Sequence, residues 1–203
     1  MHATWAPQKG NGLALRSAVL LGCALLAAQG SALLAAARDG DALRVAMLAA
    51  HNGERARLGL PPLGWSDALA AEAASNAATL AAAPEPALSH VQTNGGKPRG
   101  ENLWLGTRGA FTFDEMAQSW LEERDLYVDG AVPEISSSGN WADVGHYSQM
   151  IWRSTREVGC ALSSSAEVDL LICRYDPAGN IHGRNALTGE RAPDVRTAPR
   201  PAY

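Results

Sequence analysis

The hydrophobic pattern of the chain predicts helices in its first half and strands near its end. A helical period runs from Asp41, a plausible N-cap, towards Leu58, and Gly59 ends it. Ser66 is a strong cap for a second helix, which is rich in alanine and extends to about Ala82. The small side chains of this second helix allow it to pack closely on a sheet.

Shorter elements and long polar loops make up the middle of the chain. Leu103–Leu105 is predicted to form a short strand. Residues 112–115 have the capping-box sequence Thr-Phe-Asp-Glu and open a third helix that extends to about Leu126. After a second polar loop, a short helical piece is predicted around Asp143–Ile151.

Two β-like runs, Glu157–Leu162 and Val168–Tyr175, follow, and the short polar loop between them predicts a hairpin. Because helices come first and strands cluster late, the pattern predicts an α+β fold with helices packed on an antiparallel sheet. The 203 residues are enough for one domain with a substantial core.

The N-terminal stretch has the composition of a secretory leader. Basic residues precede an almost wholly apolar run over residues 17–37 that is rich in Ala and Leu. We predict a signal peptide over residues 1–37, with cleavage after Ala32 or Ala37 favoured, and an extracellular or periplasmic location. Two alternatives stay open: an uncleaved N-terminal anchor, since 21 apolar residues just span a bilayer, and a lipid-modified Cys23.

The remaining chain is predicted to form one domain over residues 38–190 and a disordered tail, rich in Pro and Arg, over residues 191–203. Loss of residues 1–37 removes two of the 17 Lys and Arg residues and none of the 21 acids, which leaves a net charge of −6. A mildly acidic surface without a basic stripe argues against nucleic-acid binding and against attraction to anionic lipid.

Two cysteines remain once the leader is lost, Cys160 and Cys173, one in each β-like run. An even pair in an exported protein indicates a disulfide, and neighbours on paired strands lie within disulfide reach. The bond is predicted to be structural.

Several short motifs carry a family resemblance. Residues 145–152, Gly-His-Tyr-Ser-Gln-Met-Ile-Trp, and residues 170–180, Leu-Leu-Ile-Cys-Arg-Tyr-Asp-Pro-Ala-Gly-Asn, resemble the two signatures of the CAP superfamily. Further matching pieces are His51-Asn52 with Arg55, Leu63-Gly64-Trp65, Gly100-Glu101-Asn102-Leu103, and Trp120 with Glu123. They occur in the family's order over roughly residues 42–185 and indicate a minimal bacterial or plant-type member.

The resemblance implies a three-layer α-β-α sandwich and a surface cleft built from His90, Glu101, Glu123 and His146. In several relatives the two histidines of this tetrad bind a divalent metal, which makes His90 and His146 the candidate ligands here. Some relatives bind sterols or other lipids in a neighbouring apolar groove, and some act in defence or microbial competition. A secreted binding protein of this kind is therefore the favoured interpretation.

The donor set itself suits Zn²⁺ or a similar divalent ion. No His-Glu-x-x-His helix is present, so weak, exchangeable binding is expected rather than a tight catalytic zinc. A hydrolase, in which a His with a Glu partner activates Ser148 or a water, is the alternative, and whether the protein is an enzyme stays open. A third interpretation is purely structural, with two acids and two bases forming a polar network that ties loops to the sheet.

The other prominent polar and aromatic residues have structural interpretations. His51 is predicted to hydrogen-bond inside the first helix. Four tryptophans, Trp65, Trp104, Trp120 and Trp152, are predicted to belong to the core, since aromatic side chains dominate buried area.

Overall fold

The computed structural model describes residues 40–83, 88–90 and 97–191. All of these residues lie in the unit Arg38–Tyr203. The predicted leader with its cleavage sites, the alternative anchor, Cys23 and the tail beyond Arg191 fall outside the described residues. Within them, none of the helices combines the length and apolar character needed to cross a bilayer.

The described residues form four α-helices and four strands, which confirms the α+β prediction. The helices are α1 (Gly40–Arg57), α2 (Asp67–Ala81), α3 (Phe113–Glu122) and α4 (Gly145–Met150). The strands are β1 (Gly64–Trp65), β2 (Gly100–Thr107), β3 (Glu157–Ser164) and β4 (Val168–Asp176). Two 3₁₀ turns, Glu123–Asp125 and Trp141–Val144, flank the loop between α3 and α4.

Local capping sets where the helices begin and end. The Ser66 hydroxyl accepts a hydrogen bond from the Leu69 amide at the start of α2, as predicted. Thr112 and Glu115 form the predicted reciprocal capping box of α3. Gly59 has a positive φ of 66° just after α1, a conformation that glycine adopts without strain.

Helix α3 ends at Glu122, four residues before the predicted Leu126. The chain continues there as the 3₁₀ turn Glu123–Asp125, in which the Leu126 amide donates to the Glu123 carbonyl. The tighter turn separates Glu123 from the helix proper. Its side chain faces α4 rather than the next turn of α3.

The sheet has the strand order β1-β3-β4-β2. Its three long strands are antiparallel, as predicted, and the two-residue β1 adds a parallel pair at the β3 edge. Strand β2 is longer than the predicted Leu103–Leu105, because all eight of its residues pair with β4. In this register Glu101 lies opposite Arg174, so two charges that interrupt the apolar pattern face each other.

Helices cover both faces of the sheet, which gives the three-layer sandwich. Alternate residues of β4 point to opposite faces, as the period of a strand requires. Leu170 and Ile172 pack with Ala73 and Ala77 of α2 on one face. On the other, a second set packs with α1 and α3: Leu171, Cys173, Tyr175, Met47, Met116 and Trp120. The buried strand explains the near-continuous apolar run of the second signature.

The hairpin of β3 and β4 carries the predicted disulfide. Cys160 and Cys173 are direct partners in the strand register, with Cα atoms 4.0 Å apart, and their sulfurs are bonded. The bond lies within the core between the sheet and helices α1 and α3. Its role in this position is structural.

Replacing both cysteines with alanine is expected to lower the free energy of unfolding by about 2–3 kcal/mol, because a short closed loop loses its cross-link. Chemical denaturation of the double variant and of the oxidised and reduced wild-type protein measures the effect. Reduction of the wild type breaks the cross-link without creating the small cavities that alanine leaves, so the two effects on stability can be distinguished. A reduced protein as stable as the oxidised one would contradict the expectation.

Candidate active-site cleft

A surface cavity of about 320 Å³ lies beside the edge strand β2. Three of the four predicted tetrad residues, His90, Glu101 and His146, line it. Leu88, Leu103 and Trp141 supply apolar walls. The cavity is open, and the side chains of His90 and His146 are 67% and 30% exposed, so both histidines are reachable from solvent.

The fourth residue, Glu123, lies behind His146. Its Oε1 atom is 2.5 Å from the His146 Nδ1 atom, and its Oε2 atom accepts the Tyr147 amide at 3.0 Å. The His146 ring also stacks on Trp120, with centroids 5.9 Å apart and planes 22° from parallel. The Asn102 side-chain amide donates to the His146 carbonyl. His146 is therefore held by three contacts, with Glu123, Trp120 and Asn102, and Glu123 is itself held by the Tyr147 amide.

His90 is held by Glu101 in a similar way. The His90 Nδ1 atom is 3.0 Å from Glu101 Oε1, and this hydrogen bond raises the pKa of His90 above its ordinary value. The other oxygen of Glu101 is 2.8 Å from Arg174 Nη2, and both of these side chains are buried. A buried cation thus anchors the carboxylate that orients an exposed imidazole.

Both histidines contact a glutamate through the same ring nitrogen, Nδ1. Since a carboxylate engages Nδ1 in each case, the proton belongs on Nδ1, and Nε2 is the nitrogen with a lone pair for a ligand. Carboxylate-bound imidazoles of this tautomer are the usual metal-ligating form. Each of the two side chains therefore has the tautomer that a metal ion requires of a histidine ligand.

The described residues do not bring three or four protein ligands together at one metal ion. Nowhere in residues 40–83, 88–90 and 97–191 do three or more His, Cys, Asp or Glu side chains form a metal-holding group. Structural zinc sites use four protein ligands and catalytic ones usually three. Neither kind of site is formed by the described residues.

Ser148, the nucleophile considered for a hydrolase, does not line the cavity. It is fully buried on α4, and its hydroxyl has no hydrogen-bond partner among the described residues. A His–Glu base in this cleft would therefore act on a water molecule rather than on this serine.

His51 lies away from the cavity, in the core. Its Nδ1–H donates to the Met47 carbonyl, and its Nε2 accepts the hydroxyl of Tyr175. Burial lowers the pKa of His51 to about 4, so the ring is neutral. This agrees with the structural interpretation of His51 from the sequence.

Sequence reasoning missed Arg174, which anchors Glu101. Arg174 is 3% exposed and occupies a β4 position on the face that packs against α2. The alternation of the strand places its side chain on that face, and the pairing with Glu101 explains how a cation is tolerated there. Only the strand register, which the sequence does not specify, would have revealed it.

Comparison with known proteins gives the family of the chain. Residues 48–175 match the profile of CAP, the cysteine-rich secretory protein family. Pathogenesis-related protein 1C of Nicotiana tabacum is 34% identical over 139 residues, which cover 68% of this chain and 77% of the relative. The chain belongs to the CAP family. Secreted protein RBT4 of Candida albicans is 36% identical over 148 residues, which cover 71% of this CAP protein and 37% of the relative.

Solved structures share the CAP fold at lower sequence identity. NaASP2, crystallised with Zn²⁺, superimposes with a TM-score of 0.59 at 22% identity, over 73% of this chain and 85% of its own. Hookworm platelet inhibitor gives a TM-score of 0.57 at 19% identity, over 78% of this chain and 81% of its own. At these identities the comparison supports the fold alone.

Proposed function

We propose that this CAP protein is exported and binds one divalent metal ion, such as Zn²⁺, weakly through His90 and His146. The observation that carries the proposal is the orientation of the two imidazoles. Each directs Nδ1 to a glutamate and leaves Nε2 for a ligand, and both line one cavity. Carboxylate partners of this kind raise the basicity of ligating histidines.

The glutamates keep the two ligands in position before metal binds. Glu123 is fixed by the Tyr147 amide as well as by His146, and Glu101 is fixed by Arg174. A bound divalent ion would supply Lewis acidity to an oxygen of a ligand in the cavity. With two protein ligands it would also exchange readily, which suits sensing or capture better than tight catalysis.

The walls of the cavity favour an amphipathic organic ligand, and we include a sterol or another lipid in the proposal. Leu88 is 49% exposed and Trp141 42%, so apolar surface is available at the rim. Burial of such surface contributes about 25 cal/mol per Å² removed from water. A hydroxyl or carboxyl group of the ligand would then face the two histidines.

The proposed export and the proposed role in defence or competition are supported by the composition of the leader and by the names of relatives. One relative is named a pathogenesis-related protein and another a secreted protein. The disulfide between Cys160 and Cys173 is in keeping with an oxidising compartment.

Calorimetric titration of chelator-treated protein with Zn²⁺ tests the metal site. The wild type is expected to bind one ion, and His90→Ala and His146→Ala are each expected to weaken binding by about 10- to 100-fold, because each removes one of two protein ligands. His182→Ala is the matched control, since this exposed histidine does not line the cavity. Equal affinities for all four proteins would rule out the site.

The same proteins serve for two further measurements. Saturable binding to sterol-containing vesicles, compared with sterol-free vesicles, tests the lipid ligand. Hydrolysis of ester and peptide libraries tests the second candidate function, which the close His146–Glu123 pair favours as a general base for water. Turnover that survives chelation and disappears in His146→Ala would establish metal-free hydrolysis in place of capture.

A further inference from the structure

A cluster of charged and polar side chains surrounds the buried carboxylate of Glu54, at the C-terminal end of α1. The Glu54 side chain is only 5% exposed. It accepts two hydrogen bonds from Arg57, at 2.7 and 2.9 Å, and the hydroxyl of Tyr147 donates to it at 2.6 Å. Arg124 approaches the same carboxylate at 3.4 Å.

Two partners of Glu54 are the residues that directly follow the cleft pair. Tyr147 follows His146 on α4, and Arg124 follows Glu123 in the 3₁₀ turn. Glu54 thus contacts both elements that bring His146 and Glu123 together. The Tyr147 amide closes the arrangement, because it donates to Glu123.

The ionisation of the cluster suits this geometry. Hydrogen bonding by Arg57 lowers the pKa of the Glu54 carboxyl, so Glu54 is a full acceptor at neutral pH. The Tyr147 hydroxyl donates to this carboxylate at 2.6 Å. The phenol–carboxylate hydrogen bond is therefore charge-assisted, and such bonds are shorter and stronger than neutral ones.

We propose that Glu54 is a positioning residue for the His146–Glu123 pair, acting through Tyr147 and Arg124. It ties α4 and the 3₁₀ turn to α1 and so holds the His146 ring in the tautomer and direction that the cleft requires. The expected effect of Glu54 on metal binding rests on the proposed function. Its effect on the His146 ring can be measured in metal-free protein.

Two variants test the positioning role of Glu54, and they remove different parts of the hydrogen-bond network. Tyr147→Phe removes a single hydroxyl and keeps the ring, whereas Glu54→Gln keeps the shape of the side chain and removes its charge. Glu72→Gln is the matched control, because Glu72 lies on α2 and pairs with Arg99 at 3.3 Å, away from the cleft pair.

The first readout is the ring-nitrogen NMR spectrum of His146 in metal-free protein, which reports the tautomer. Glu54→Gln and Tyr147→Phe are expected to move the His146 nitrogens towards a mixture of tautomers, and Glu72→Gln is expected to leave them unchanged. In zinc titration, the same two variants are expected to raise the dissociation constant by about 3- to 10-fold, less than loss of a direct partner.

An unchanged His146 spectrum in Tyr147→Phe and Glu54→Gln, with only thermal stability reduced, would overturn the positioning role. If Glu54→Gln does not fold, Tyr147→Phe alone decides. A wild-type protein that binds no zinc would remove the proposed function, but the tautomer measurement would still decide the positioning role independently.

Discussion

Replacement of Arg55 by methionine is expected to lower the free energy of unfolding by about 3–5 kcal/mol, since four hydrogen bonds from one buried side chain are lost at once. Arg55 is fully buried at the end of α1. Its guanidinium donates to the carbonyls of Pro61, Met150, Trp152 and Thr155 at 2.7 to 3.3 Å.

No carboxylate is among these hydrogen-bond partners of Arg55, so within the described part of the chain carbonyl groups solvate the cation. Burial lowers the pKa of Arg55 to about 10, which shows that its environment opposes the charge. The hydrogen bonds outweigh that cost because they satisfy the turn after α1 and the end of α4 together. Methionine of similar length fills the space but donates to none of the four carbonyls. The Trp152 carbonyl keeps the Thr155 amide and the Thr155 carbonyl keeps Arg156 as donors, so the loss falls mainly on the carbonyls of Pro61 and Met150.

Urea denaturation of Arg55→Met and of Arg44→Met measures this effect. Arg44 lies on the same helix and is exposed, so its loss is expected to change the free energy of unfolding by less than about 0.5 kcal/mol. Because two of the carbonyls follow the helix that carries His146, zinc affinity is also expected to fall in Arg55→Met. A variant as stable as the control would show that water satisfies these carbonyls.

Much of the fold could be predicted because its signals are local. The Ser66 cap, the Thr112–Glu115 capping box and the turn at Gly59 each depend on a few neighbouring residues, and the structure reproduces them. The hairpin of β3 and β4 was also predicted, because a short loop leaves two apolar runs few other ways to pair.

The features that escaped prediction depend on pairing between distant residues. Glu101 interrupts the apolar pattern of β2, so the strand was predicted too short; Arg174, its neutralising partner, lies on another strand. The end of α3 was placed too late, because the contact that draws Glu123 out of helical register comes from Tyr147. Periodicity carries no information about such partners.

The candidate site, like the fold, could be predicted only in part. The tetrad came from motifs, and the structure brings His90, Glu101 and His146 to one cavity with Glu123 behind. The supporting residues Arg174, Tyr147 and Glu54 could not be assigned these roles from sequence. The burial of Ser148 outside the cavity lining likewise depends on how α4 packs rather than on its neighbours in the chain.

Replacement of Trp120 by alanine is expected to destabilise the protein by about 3–5 kcal/mol, as for other buried tryptophans. Trp120 is 2% exposed and belongs to the core between α1, α3 and the sheet. Its indole N–H donates to the Leu103 carbonyl of the edge strand β2 at 3.3 Å, and its ring stacks on His146.

The Trp120 side chain therefore contacts the core, the edge strand β2 and His146. A short series of variants separates the effects of these three contacts on stability and zinc affinity. Trp120→Phe keeps most of the apolar contact and loses the hydrogen bond to Leu103, so a smaller loss of stability is expected. Trp141→Ala is the control, since Trp141 is 42% exposed and its removal is expected to cost less than about 1 kcal/mol.

Thermal and urea denaturation, with zinc titration of the same proteins, measures the series. Loss of the ring beneath His146 frees the imidazole to turn, so zinc affinity is expected to fall in Trp120→Ala beyond the effect of Trp120→Phe. If Trp120→Ala were no less stable than Trp141→Ala, Trp120 would not be the centre of this core. Equal zinc affinity in Trp120→Ala and Trp120→Phe would mean that Glu123 alone holds His146 in place.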